Sequence, residues 1–121
     1  MYNSSDIRLL VTGDRNWRDP TPIYYLLVGI RPAVLIHGDC RGLDKLAGYV
    51  AQRLHVPLEI YPANWGAYGK AAGMIRNQQM LDEGKPSLVI GFHDNITESA
   101  GTADMLCKAE DSDIPYTLIT H

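Results

Sequence analysis

Cysteine is nearly missing from this chain of 121 residues, which has only Cys40 and Cys107. The two lie far apart and match no zinc spacing, so neither a disulfide framework nor a structural metal site is expected. No apolar run is long enough to span a membrane, and the start, MYNSSD, lacks the basic-then-apolar layout of a signal peptide. A reduced, cytoplasmic setting is the expectation that follows. Positive charge is also short: eleven basic against fourteen acidic side chains give a net charge of −3. That excludes a nucleic-acid module relying on bulk positive charge, but not a site for a small anion, which needs only a few placed donors. Internal repeats, linkers and low-complexity tracts are absent, and an apolar content of 45% argues against disorder. One domain over residues 1–121 is the expectation, large enough to bury a core without disulfide or metal.

What is present is an alternation of short apolar runs with helical patterns. Ile7–Thr12, Ala33–His37, Leu58–Tyr61, Leu88–Ile90 and Tyr116–Ile119 read as strands, four of them ending at Gly or Pro. Their apolar runs suit strands covered on both faces, as in a parallel sheet, better than strict alternation would. Between them, Asp19 and Pro20 open a first helix that carries Ile23, Leu26, Leu27 and Ile30 on one face. A second places Leu43, Leu46, Ala47, Val50, Ala51 and Leu54 at spacings of three and four. A third runs from about Ala71 to Glu83 and stops at Gly84, and a fourth starts near Thr102 and buries Met105, Leu106 and Ala109. Cys107 falls on the same side as an apolar filler. The alternation predicts an α/β fold, a three-layer Rossmann-like sandwich around a five-stranded parallel sheet. Ligands in such folds sit beyond the carboxyl ends of the strands, where strand order reverses.

The junctions at those ends hold the candidate site residues. After the first strand come Thr12, Gly13, Asp14 and Arg15; after the second come Gly38, Cys40, Arg41 and Gly42, leading into the clearest helix. Glycines there let the backbone approach a ligand, free N–H groups at a helix start favour anions, and Arg15 and Arg41 are fork-shaped donors. Plain βα turns use glycine too, so both explanations stand. Asp44, in the first turn, either complements the helix dipole or contacts a ribose hydroxyl. The third helix carries a polar run, Arg76-Asn77-Gln78-Gln79, which is either a solvated face or a ligand-facing one; Arg76 and Met80 share a face. Before it, Trp65 to Gly73 is rich in small and aromatic residues, suited to a flat ligand or to tight packing on the sheet. Seven mostly polar residues, His93 to Ser99, exceed a minimal connector before Gly101-Thr102, a pair that offers N–H groups and a hydroxyl to an anion. Asp104 follows in the first helical turn. His37 and Cys40 form a lone pair, and no metal is expected on them.

In order, the segments VTGDR (11–15), HGDCRGLDKLA (37–47), W…YG.AAG.IRNQQML (65–81), FHDN (92–95), SAGTADM (99–105) and IPYTLI (114–119) resemble the YspA-like branch of the SLOG superfamily. That Rossmann-like group includes the Lonely Guy cytokinin-activating enzymes and the DNA-processing protein DprA, and the resemblance covers about residues 7 to 119. It implies the strand order 3-2-1-4-5, a nucleotide or nucleotide-derived ligand, and no cofactor. Lonely Guy enzymes cleave nucleoside monophosphates to base and ribose 5-phosphate, using an arginine on the third helix and an acid after a Gly-Thr pair. Arg76, Gly101-Thr102 and Asp104 match those parts. Two features differ: FHDNITESAGT replaces a shorter Pro-Gly-Gly-x-Gly-Thr, and the acid is Asp rather than Glu. Lonely Guy relatives are dimers or larger, so a homo-oligomer completing its site through Arg15 or Tyr68 is one arrangement the resemblance allows.

Three functions follow from these residues. A binding module would line the phosphate and ribose region with Thr12, Gly13, Arg15, Gly38, Arg41, Gly42, Asp44, Asn77, Ser99, Gly101 and Thr102. Arg76 would pair with phosphate or base in the binding module, and an N-glycosidase on nucleoside 5′-monophosphates would use it to hold the substrate and add Asp104 to stabilise an oxocarbenium-like state. A protein-interaction domain with a vestigial crevice would need neither.

Overall fold

The computed structural model describes residues 4–121; residues 1–3, part of the MYNSSD start, lie outside the described residues. Five parallel strands form one sheet in the order β3-β2-β1-β4-β5: β1 Arg8–Gly13, β2 Val34–His37, β3 Leu58–Ile60, β4 Leu88–Phe92 and β5 Tyr116–Ile119. The helices are α1 Thr21–Ile30, α2 Leu43–Arg53, the single turn α3 Trp65–Tyr68, α4 Ala72–Gly84 and α5 Ala100–Asp111. This is the expected α/β Rossmann-like architecture and strand order. Among the described residues no helix is long and apolar enough to cross a membrane.

The two-residue period of the strands sorts the core into two layers. Leu9, Val11, Leu35, Ile90 and Phe92 face α1 and α2, where Ile23, Leu27, Leu43, Ala47, Val50 and Ala51 close over them. Leu10, Val34, Ile36 and Val89 point the other way, onto Met80, Leu81, Met105, Leu106 and Ala109 of α4 and α5. The chain starts in the middle of the sheet at β1, steps outward through β2 and β3, then returns beside β1 as β4. The topological switch therefore lies between β1 and β4, with Gly13 registered opposite Phe92 at their carboxyl ends.

Several boundaries differ from the sequence expectation, each for a local reason. Helix α1 starts at Thr21 with Pro20, not Asp19, at the cap position; Asp19 still accepts the Thr21 N–H (3.0 Å), and the Pro20 carbonyl accepts from Tyr24 (2.9 Å). At α5, however, the cap is Ser99, whose Oγ accepts the Thr102 N–H at 3.1 Å, so the helix begins at Ala100 and Thr102 is already inside it. Gly84 is the last helical residue, and Lys85 takes the left-handed conformation (φ 47°). Gly84 packs closely instead: a Cβ there would stand 3.3 Å from Ile36, a tight contact. Cys107 is exposed, not a filler of the core, because Met105, Leu106 and Ala109 already occupy the inward arc of α5. The edge strand β5 is only partly covered, unlike β1, β2 and β4.

The polar segment between β4 and α5 is built, not merely tolerated. Residues 96–98 make a 3₁₀ turn, the Asn95 N–H donates to His93 Nδ1 (2.9 Å), and the Ser99 N–H donates to the Ile96 carbonyl (3.1 Å). Ile96 tucks against the α4–α5 side of the core.

Candidate functional site

At the switch point the strand ends part into a cleft of about 570 Å³, within the roughly 300–1,000 Å³ of small-molecule sites. Its walls come from the β1 turn (Thr12 to Asn16), the start of α4 and the residues opening α5 (Glu98 to Thr102). Asp44 and His93 lie deeper, and Trp65 and Lys70 stand at the mouth. A neighbouring compartment of about 480 Å³ opens over the β2 turn, lined by Gly38, Asp39, Cys40, Arg41, Pro62 and Ala63. Arg15, Cys40, Trp65 and Arg76 line both.

Of the residues singled out by sequence, Thr12, Gly13, Arg15, Asp44, Arg76, Asn77, Ser99, Gly101 and Thr102 meet in the first cleft. Gly38 and Arg41 meet Arg15 and Arg76 in the second compartment. Gly42 and Asp104 line neither. Gly42 shapes the turn: its φ is +84°, and a Cβ would sit 2.5 Å from the Asp14 carbonyl oxygen. Gly38 is glycine because the Arg76 guanidinium occupies the space where its side chain would be.

Arg76 is 7% exposed and satisfied by the protein. Its guanidinium donates to the Gly38 carbonyl, to the Tyr61 carbonyl (3.4 Å), to Asn77 Oδ1 (3.2 Å) and to Cys40 Sγ (3.3 Å). Asn77 in turn donates through Nδ2 to Asp104 Oδ2 (3.0 Å) and to the Gly101 carbonyl (3.3 Å). Lys108 donates to Asp104 Oδ1 at 2.6 Å. These bonds make a continuous strut from the β2 turn through α4 to α5. Both Asp104 oxygens are committed to it.

Asp44 is the second buried centre, 5% exposed. Its Oδ2 accepts the N–H groups of Gly38 (3.0 Å) and Cys40 (3.3 Å). The Asp39 N–H goes to His37 Nδ1 (2.9 Å) and the Leu43 N–H to the Asp14 carbonyl (3.0 Å). Those four donors of the β2 turn point into the protein, and not toward a ligand. Burial pushes the Asp44 carboxyl up to about 6, against the opposing pull of the Cys40 N–H, the Arg76 charge and the Gly38 N–H.

Sequence reasoning placed Asp14 in the β1 turn and His93 and Glu98 in the polar segment before α5, but gave none of them, nor Lys70, a ligand role; all four line the cleft. Their signal was position: each lies at or next to the end of a strand or start of a helix facing the switch point. His93 Nε2 stands 3.8 Å from Asp14 Oδ2, joining the ends of β4 and β1 across the cleft floor. On the outer side, His121 stacks on Trp17 (centroids 4.2 Å apart, 11° between planes) and engages Asp94 at 2.7 Å and Asp19 at 3.3 Å. It thereby ties the loops after β1 and β4 together.

Comparison with known proteins agrees with this architecture. A family model described as "YspA, cpYpsA-related SLOG family" matches residues 7–68, which hold the β1 and β2 turns and Trp65. A protein of Mycobacterium phage D29, named "Gene 61 protein", is 30% identical over 118 residues, covering 89% of this chain and 92% of the phage protein. With a Rossmann-like sheet in the order 3-2-1-4-5 beneath these matches, the chain belongs to the YspA, cpYpsA-related SLOG family.

Proposed function

We propose that this domain binds a nucleotide-like small molecule in the β1–β4 cleft and acts as a sensor or ligand-handling module. The observation that carries the proposal is the cleft itself, sited at the switch point with Arg15 and Lys70 beside the opening turn of α5. Ser99 takes the Thr102 N–H, so the N–H groups of Ala100 and Gly101 are the ones that α5 offers to a phosphate. Trp65, 55% exposed at the rim, supplies a face for a flat base. Asp14 and Asp44 suit ribose hydroxyls. Asp104, engaged by Asn77 and Lys108, serves the scaffold in this view.

One observation favours a second function, N-glycosidic hydrolysis of a nucleoside 5′-monophosphate. Asp44 lines the cleft with its carboxyl pushed up to about 6, close to the pH at which a carboxyl exchanges protons usefully. In such a reaction the C1′–N bond breaks, a water oxygen bonds to C1′ and a proton passes to the departing base.

Thermal shift with nucleoside monophosphates, run alongside chromatography for released base, tests both. Binding at 100-fold over Kd stabilises by about 2.7 kcal/mol, a shift of about 10 °C. Lys70→Ala and Trp65→Ala, both at exposed positions, should weaken it. Absence of any shift with every nucleotide refutes the binding proposal. Base release that is lost in Asp44→Asn and kept in Asp104→Asn establishes the hydrolase on Asp44; loss in Asp104→Asn alone returns the role to Asp104.

A further inference from the structure

The charges of the two compartments are unlike. The first mixes Arg15, Lys70 and Arg76 with Asp14, Asp44 and Glu98, so its side chains are nearly balanced. The second has Arg15, Arg41 and Arg76 against Asp39 alone. Asp39 is itself neutralised by Lys45, 2.9 Å away. Arg41 is exposed and, among the described residues, makes one side-chain hydrogen bond, of 3.5 Å to Asn16 Oδ1, so its fork is available to a ligand. The space, about 480 Å³, exceeds what a single phosphate group fills, and Pro62, Ala63 and Trp65 give it an apolar rim. Arg15, Cys40, Trp65 and Arg76 line both compartments, so the two are adjacent and a ligand occupying both would cross only these four side chains.

Resting on the binding function proposed above, we infer that the ligand is a pyrophosphate-extended nucleotide: a nucleoside phosphate joined through a second phosphate to another sugar-sized unit. The nucleoside end lies in the balanced compartment, where carboxylates meet ribose hydroxyls and Trp65 meets the base. The second phosphate and its substituent lie over the β2 turn between Arg15 and Arg41. The backbone of that turn adds little, since the Gly38 and Cys40 N–H groups serve Asp44; the arginines do the work.

The test is a calorimetric affinity series within one base: AMP, ADP and ADP-ribose, then GMP, GDP and GDP-mannose. The expected result is that extended ligands bind at least tenfold tighter than the monophosphate of the same base. That factor is the scale of a charge-assisted hydrogen bond. Arg41→Ala should erase most of that ratio, and Arg41→Glu should invert it, with unfolding midpoints near wild type because Arg41 is exposed. A diphosphate equal to the sugar-extended ligand removes the second sugar from the inference. Equal affinities for short and extended ligands, or a ratio surviving in Arg41→Ala, overturn it while leaving nucleotide binding in place. Absence of binding by all six overturns both.

Discussion

Asp44→Asn should make the protein more stable at neutral pH, although it alters a buried residue with two hydrogen bonds. The rise of the Asp44 carboxyl from 3.8 to about 6 means that ionisation is disfavoured in the folded state. At about 1.4 kcal/mol per pH unit the ionised side chain costs roughly 3 kcal/mol at pH 7.5. The sign follows from proton binding. Between 3.8 and about 6 the folded chain holds a proton that the unfolded chain has lost, so this group's contribution is greatest below 3.8 and is lost as pH rises through about 6. Asparagine removes the charge and keeps an oxygen able to accept from Gly38 and Cys40, which both use the same Asp44 oxygen. Its amide nitrogen faces the cleft that Asp44 lines, where water can reach it.

Urea unfolding followed by tryptophan fluorescence, in wild type and variant together, measures the effect, since Trp17 is buried and reports the core. The variant should gain about 3 kcal/mol at pH 7.5 and about 1 kcal/mol at pH 4.5, and almost nothing below 3.8. Comparing the two proteins at each pH cancels the other titrating groups. A variant less stable than wild type by more than about 1 kcal/mol at pH 7.5 refutes the reasoning. It would mean that attraction to Arg76 and the two N–H groups outweighs burial.

Ser99→Ala should cost about 1 kcal/mol in the same unfolding assay, by stripping the Thr102 N–H of its cap, and Thr97→Ala nearby should cost less. Gly42→Ala should lower stability by at least about 2 kcal/mol, since φ of +84° is foreign to alanine and the turn cannot yield toward Asp14; near-wild-type stability would contradict the assigned backbone. His121 should titrate above its ordinary 6.5 by NMR, raised chiefly by its hydrogen bond to Asp94, and Asp94→Asn should bring it down. Because the folded value is the higher one, the tie is complete below 6.5 and is lost as pH rises through the folded value.

The layers of the fold were readable because the runs of the three central strands, β1, β2 and β4, are short, mostly apolar and followed by a turn residue, as a sheet covered on both sides requires. The boundaries were less readable where two residues compete for one task. Ser99 and Thr102 are both good caps; Ser99 wins because Ile96 anchors the preceding turn to the core and sets where the chain enters α5. Gly84 is a natural stop by composition, but it stays helical with its backbone close against Ile36, and Lys85 takes the left-handed position. Cys107 was misplaced for a similar reason: a short helix has one inward arc, and three other side chains fill it.

At the site, the residue types and their clustering at strand ends were legible, while the direction of each polar group was not. Composition alone makes Gly38 to Gly42 a natural anion cradle. The chain fills that cradle with its own carboxylate, Asp44, and a second external anion beside Oδ2 would meet like charge in a region of low dielectric. The same logic governs Asp104. A carboxylate in the first turns of α5 is free to serve a ligand only if nothing closer competes, and Asn77 and Lys108 compete at 3.0 and 2.6 Å. Two acids placed beside glycine-containing turns at the strand ends thus have opposite fates. Asp44 is buried, strained toward protonation and in contact with the cleft; Asp104 is paired on both oxygens and outside it. The hydrolytic function proposed above is therefore better sought at the acid whose charge the fold opposes than at the one whose charge it has already neutralised.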